Sequence, residues 1–85
     1  MPAEAALNDA QKRALEPELA MTLYAHLREH RPRGFSLGQI SAEFKVDPAQ
    51  AHLRLSKLVD VDLVETAWRG TTVTYKAIDE TERSA

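Results

Sequence analysis

Ser36-Leu37-Gly38-Gln39 and Asp47-Pro48-Ala49-Gln50 each have the pattern of a helix start, and the space between them holds one short helix and a turn. In the first, a serine with a glutamine three residues on fits a capping box: the hydroxyl accepts from one free backbone N–H and the amide reaches back to another. Leu37, Ile40 and Phe44 then recur at helical spacing and are expected to face inward. Lys45-Val46 breaks that pattern. In the second start, Asp47 stands as N-cap, Pro48 takes the first helical position, where its missing N–H is no loss, and Gln50 completes a second box.

Two capped helices about three residues apart predict a helix-turn-helix. The second helix, over 47–61, can be laid out at roughly 100° per residue. Ala51, Leu55, Leu58 and, nearby, Val59 gather on one side, which is core. Ala49, Gln50, Leu53, Ser56 and Lys57 lie opposite, with His52 and Arg54 at the borders.

Upstream, residues 1–15 are rich in alanine and compatible with a separate helix, because Pro17 stops one unbroken helix from running on. From Pro17, Leu19, Leu23, Tyr24 and Leu27 mark a helix that ends near His30, before Pro32. Arg31-Pro32-Arg33-Gly34 is a loop, and Phe35 supplies either a short strand or a core anchor. Downstream the period changes. β-branched and aromatic residues dominate, Arg69-Gly70 punctuates, and Val73, Tyr75 and Ala77 alternate with Thr72, Thr74 and Lys76, which predicts a β-hairpin. Trp68 is expected to pack in the core or on the sheet. The chain therefore divides into an N-terminal extension or dimerisation helix (1–15), a folded domain (16–79) and a flexible tail (80–85).

With 85 residues, 44% of them hydrophobic, one small core is the most this chain can build. The absence of cysteine excludes disulfides, thiolate nucleophiles and thiolate metal sites, and no apolar run approaches the roughly 20 residues of a membrane span. The N-terminus lacks a signal peptide's charged start and apolar middle, so the expectation is a cytoplasmic protein with no membrane partner. Net charge is −2, but its distribution is uneven: from His26 to Lys57 six cations face three carboxylates, a balance of +3, leaving five against ten, −5, elsewhere. His26 and His30 stand one helical turn apart, as two metal ligands would, yet they border an apolar stripe and have no cysteine to join them; neither a metal nor a cofactor is expected. No nucleophile triad, phosphate loop or carboxylate pair stands out, so the chain is not expected to be an enzyme.

The order of helix, capped helix, turn, capped helix and hairpin is that of a winged helix-turn-helix, a mainly α fold with a small β-hairpin (α+β). The chain resembles the ArsR-type or MarR-type group of small prokaryotic transcription regulators. The likeness covers about Leu15 to Ile78. "LEPELAMTLYAHL" matches the first domain helix, "SLGQISAEFKVDPAQAHLRLSKLVDVDLV" the helix-turn-helix, and "WRGTTVTYKAI" the wing. In two places the chain departs from that pattern. Asp62 stands where such regulators usually carry a glycine, and aspartate tolerates the left-handed conformation needed there. Leu53 occupies the middle of the outer face, where serine, arginine or histidine is usual.

The resemblance implies a sequence-specific regulator that inserts the 47–61 helix into the major groove of double-stranded DNA and lays the wing, 64–78, on the flanking groove or backbone. Gln50 can pair bidentately with adenine, Arg54 and Lys57 with guanine or phosphate, and Leu53 can touch a thymine methyl; His52 borders the same face. Arg69, beside Gly70, can reach the neighbouring groove or backbone. A homodimer joined through the N-terminal segment and first helix would double these contacts on a palindromic site. The alternative is a winged helix that docks protein partners through Leu53 and its neighbours and does not bind DNA.

Overall fold

The computed structural model describes residues 7–78. Four helices and three strands follow one another as α1 (Asp9–Ala14), α2 (Glu18–Glu29), β1 (Phe35–Ser36), α3 (Leu37–Phe44), α4 (Pro48–Asp60), β2 (Val64–Arg69) and β3 (Thr72–Ala77). The helix-turn-helix is thus α3 and α4, and β2 and β3 form the wing. The hairpin is wider than its sequence suggests. Phe35 and Ser36 pair antiparallel with Tyr75 and Thr74, making a sheet in the order β1-β3-β2. This third strand also corrects the alternation expected along β3. Thr74, placed with the outward residues, is buried: β1 lies alongside it, and its hydroxyl donates to the Ala67 carbonyl across the hairpin at 3.2 Å. Gly34 makes that approach possible, since a methyl group there would lie 2.9 Å from Thr74 Oγ1.

The core is one cluster to which nearly every element contributes. Leu23, Tyr24 and Leu27 of α2, Ile40 of α3, Ala51, Leu55 and Leu58 of α4, and Leu63, Val64, Tyr75 and Ala77 around the sheet are all buried. Leu37, Phe44, Val59 and Phe35 are half-buried and pack against it, so Phe35 is both strand and anchor. Residues 1–6 of the expected N-terminal segment 1–15, and the expected tail, 80–85, lie outside the described residues; within that segment the structure places α1, which lies on α4. Its start is a capping box that Asn8 and Gln11 spell in the sequence, although asparagine replaces the usual serine or threonine. Gln11 is buried and also donates from Nε2 to the Val61 carbonyl at 2.9 Å. It thereby satisfies an acceptor at the end of α4, and Leu15 follows it into the core.

The helix-turn-helix termini show why the chain turns where it does. Ser36 and Gln39 form the expected box, with bonds of 3.1 and 2.9 Å. Asp47 caps α4, but its short carboxylate accepts from Ala49 N at 2.8 Å, and Gln50 does not close a second box. Lys45 ends α3 in the left-handed region, φ 54°, and Asp62 does the same after α4, φ 63°. Beyond α4, Asp62 N–H donates to Val59 O at 3.1 Å and Leu63 N–H to Leu58 O at 3.0 Å, which is a Schellman motif. Asp62 therefore takes the conformation a glycine would, and the chain enters β2 with Leu63 buried. Ser36→Ala and Asp47→Ala should each cost about 0.5–2 kcal/mol, whereas Gln50→Ala should stay within about 0.5 kcal/mol of wild type. Urea midpoints will separate them; three equal midpoints would mean the caps contribute nothing.

Candidate nucleic-acid interface

The buried stripe of α4, Ala51-Leu55-Leu58, sets the direction of everything else on the helix. With that stripe held against α2 and α3, Gln50, His52, Leu53 and Lys57 are exposed, while Arg54, Ser56 and Val59 are half-buried at its margins. Five of the six expected site residues thus occupy one helix, within about 10 Å along its axis at 1.5 Å per residue. Arg54 sits deeper than His52, at the margin of the buried stripe. Leu53 is 42% exposed, an aliphatic side chain at the centre of the outer face.

The sixth residue lies on another element. β2 is buried at Val64 and exposed from Thr66 onward, and Arg69 ends it, about 17 Å from Val64 at strand rise. Gly70 then takes φ +66°, and the strand pairs Arg69 with Thr72 across a two-residue turn. Among the described residues the side chains of Arg54, Lys57 and Arg69 have no ion-pair partner; the described ion pair on the wing is Lys76 with Glu65, at 3.9 Å. These three cations are available to an external anion.

Trp68 departs from expectation. It neither enters the core nor is covered by the sheet, but stands 73% exposed beside Arg69. Alternation correctly assigns its face, the one it shares with Val64. What the sequence does not reveal is that the hairpin outruns the helices that cover that face.

Two hollows adjoin these elements. One, of about 300 Å³, is lined by Ala10, Arg13 and Ala14 of α1 and by Lys57, Asp60 and Val61, so Lys57 also borders the α1–α4 seam. The other, about 510 Å³, opens between α2, β1 and α3 and is lined by His26, His30, Arg33, Phe35, Gln39 and Glu43 among others. In it His26 packs against His30 at 4.5 Å, Phe35 at 4.9 Å and Phe44 at 5.0 Å between ring centroids. The two histidines one turn apart are therefore engaged in an aromatic cluster. Among the described residues no three histidine or carboxylate side chains are placed to hold a metal ion.

A family model described as a helix-turn-helix domain matches residues 15–67, from the end of α1 into β2. The chain belongs to this helix-turn-helix family. Among solved structures, this helix-turn-helix chain is similar to HlyU from Vibrio cholerae, with a TM-score of 0.76 at 19% identity over 99% of this chain and 88% of HlyU. It is similar also to the transcriptional regulator HlyU from Vibrio vulnificus, at 0.72 and 20% over 88% and 75% of the two chains. A third likeness is to human N-acetylserotonin methyltransferase, at 0.56 and 16%, where 96% of this chain covers 26% of the enzyme. At such identities the likeness establishes the winged-helix fold. No curated protein sequence matches.

Proposed function

We propose that this domain binds double-stranded DNA as a transcription regulator, with α4 in the major groove and the wing on the flanking groove or backbone. The observation that carries the reading is the outer face of α4: Gln50, His52, Leu53 and Lys57 exposed on the second helix of a helix-turn-helix, with Arg54 beside them and cations that have no partner within the described chain. Amide, guanidinium and ammonium groups along one helix match the donor and acceptor pattern of base edges and phosphates. Arg69 at the wing tip adds a second phosphate contact. Because the whole chain carries a net charge of −2, this attraction has to come from its local cations.

Assembly as a homodimer belongs to the same proposal. The outer side of α2 presents Met21, Thr22 and Ala25 to solvent, a low-charge strip on the first domain helix that a second copy can cover, next to α1. Two reading heads would then address a palindromic site. HlyU from Vibrio vulnificus is a transcriptional regulator, and the likeness to it supports the regulatory half of the reading.

The test is binding to labelled duplex DNA across a range of salt. Log affinity should fall linearly with log salt, with a slope of about −0.9 for each phosphate neutralised, and sedimentation at the same concentrations should show two copies per duplex. Absence of binding at low salt would overturn the proposal. One observation favours a second reading, in which the same face docks a protein: Leu53 is exposed at its centre and no acid–base pairing covers it.

A further inference from the structure

Trp68 is the only tryptophan of the chain, and folding does not use it. It pairs across the hairpin with Val73, on the sheet face that carries Thr66 with Tyr75 and then Val64 with Ala77 nearer the base. Val64, Tyr75 and Ala77 on that face are buried and Val73 is half-buried, whereas Trp68 is 73% exposed. The indole is the outward end of the core face, carried past the helices that cover the rest. A large apolar ring left in water on a projecting hairpin is unfavourable unless something covers it.

The surroundings say what the occupant is. From Thr66 to Tyr75 the outer hairpin holds one cation, Arg69, and no carboxylate, while at its base Lys76 is paired with Glu65 at 3.9 Å. Thr66 on the indole's face, Thr71 in the turn and Thr72 on the opposite face are exposed. Arg69, the next residue, alternates to the opposite face. A tip with a ring on one side, a guanidinium on the other and hydroxyl donors between them suits a polyanion whose surface alternates phosphates with apolar sugar and base edges. A protein partner of the usual kind would meet this tip without needing its lack of acids.

We infer that Trp68 is a wedge that enters the minor groove of duplex DNA at the wing contact, packing its ring on sugars and against a base step while Arg69 holds the adjoining phosphate or groove edge. Apolar wedges flanked by cations bind duplexes in this way and bend them by partly unstacking a step. This inference rests on the DNA reading above and adds the residue, the groove and the deformation. It also separates two contributions of one hairpin: Arg69 supplies attraction that salt screens, Trp68 supplies burial that salt does not.

The lone tryptophan makes the inference directly measurable. The probe is a duplex selected by repeated binding from a random-sequence pool, labelled for anisotropy, with the full chain. Tryptophan emission should shift to the blue on saturation with this duplex. Trp68→Ala should weaken binding roughly ten-fold with the salt slope unchanged, and Trp68→Phe should retain most of the affinity. Arg69→Ala should make the slope shallower by about one unit. Circular dichroism melting of Trp68→Ala should match wild type, since an exposed ring contributes little to folding. If the duplex binds but the emission does not move and Trp68→Ala binds within two-fold of wild type, the wedge is overturned and the DNA reading stands. If no duplex binds at all, both fall. If emission shifts with protein concentration before DNA is added, a second copy covers Trp68 and the wedge is overturned.

Discussion

Leu58→Ala is expected to remove about 2–5 kcal/mol of stability, the usual cost of a cavity where a fully buried leucine stood. A small domain has only about 5–15 kcal/mol in total, so this single change takes at least about an eighth of it and, in a marginal domain, most of it. Leu58 is 0% exposed and its carbonyl accepts from Leu63 N–H, so it lies where α4 ends and the chain turns into the wing. Leu63 is equally buried in the same cluster, leaving little room for the site to collapse around the missing side chain. Urea unfolding followed by circular dichroism measures the loss. A drop under about 1 kcal/mol would mean that the α4–wing junction is not part of the cooperative core.

The second large effect concerns what the outer face of α4 touches. If it lies in the major groove, Lys57→Ala should weaken binding to all duplexes alike and flatten the salt dependence, because a lysine on phosphate carries no sequence preference. Arg54→Ala should cost about 1–3 kcal/mol of discrimination at one base pair where its guanidinium meets a guanine edge. Being half-buried, it needs a melting control that Lys57→Ala does not. If the face docks a protein, the order inverts. An aliphatic group at the centre of a contact acts by leaving water, so Leu53→Asp should abolish partner capture while both alanine variants keep most of it. Leu53→Asp also brings a carboxylate toward phosphates, so only the comparison of all three variants discriminates. Two alanine variants that bind duplex like wild type across the salt range would end the placement of α4 in the major groove.

Most of the fold can be read locally because its signals are local. A cap is made by residues two or three apart, so Ser36-x-x-Gln39 announces α3 wherever the rest of the chain goes. The buried stripe of α4 follows from helical periodicity, and that stripe in turn assigns Gln50, Leu53 and Lys57 to the outside. Asp62 could be placed at the end of α4 because its left-handed backbone is a property of one residue. The second capping box was not realised because two acceptor geometries compete at an aspartate N-cap, and Asp47 takes the N–H two residues on.

What local signals cannot carry is the distance between elements. The sequence alone determined the helix starts, the inward faces of α2 to α4, the hairpin and the candidate residues on it, since each depends on spacing along the chain. The tertiary structure decided the rest. It brought Phe35-Ser36 to β3 and so buried Thr74, it used Gln11 to satisfy the Val61 carbonyl fifty residues away, and it let the hairpin project until Trp68 stood in solvent. A strand's pleat says which face a side chain occupies, but only the packed helices say where along that face the cover stops.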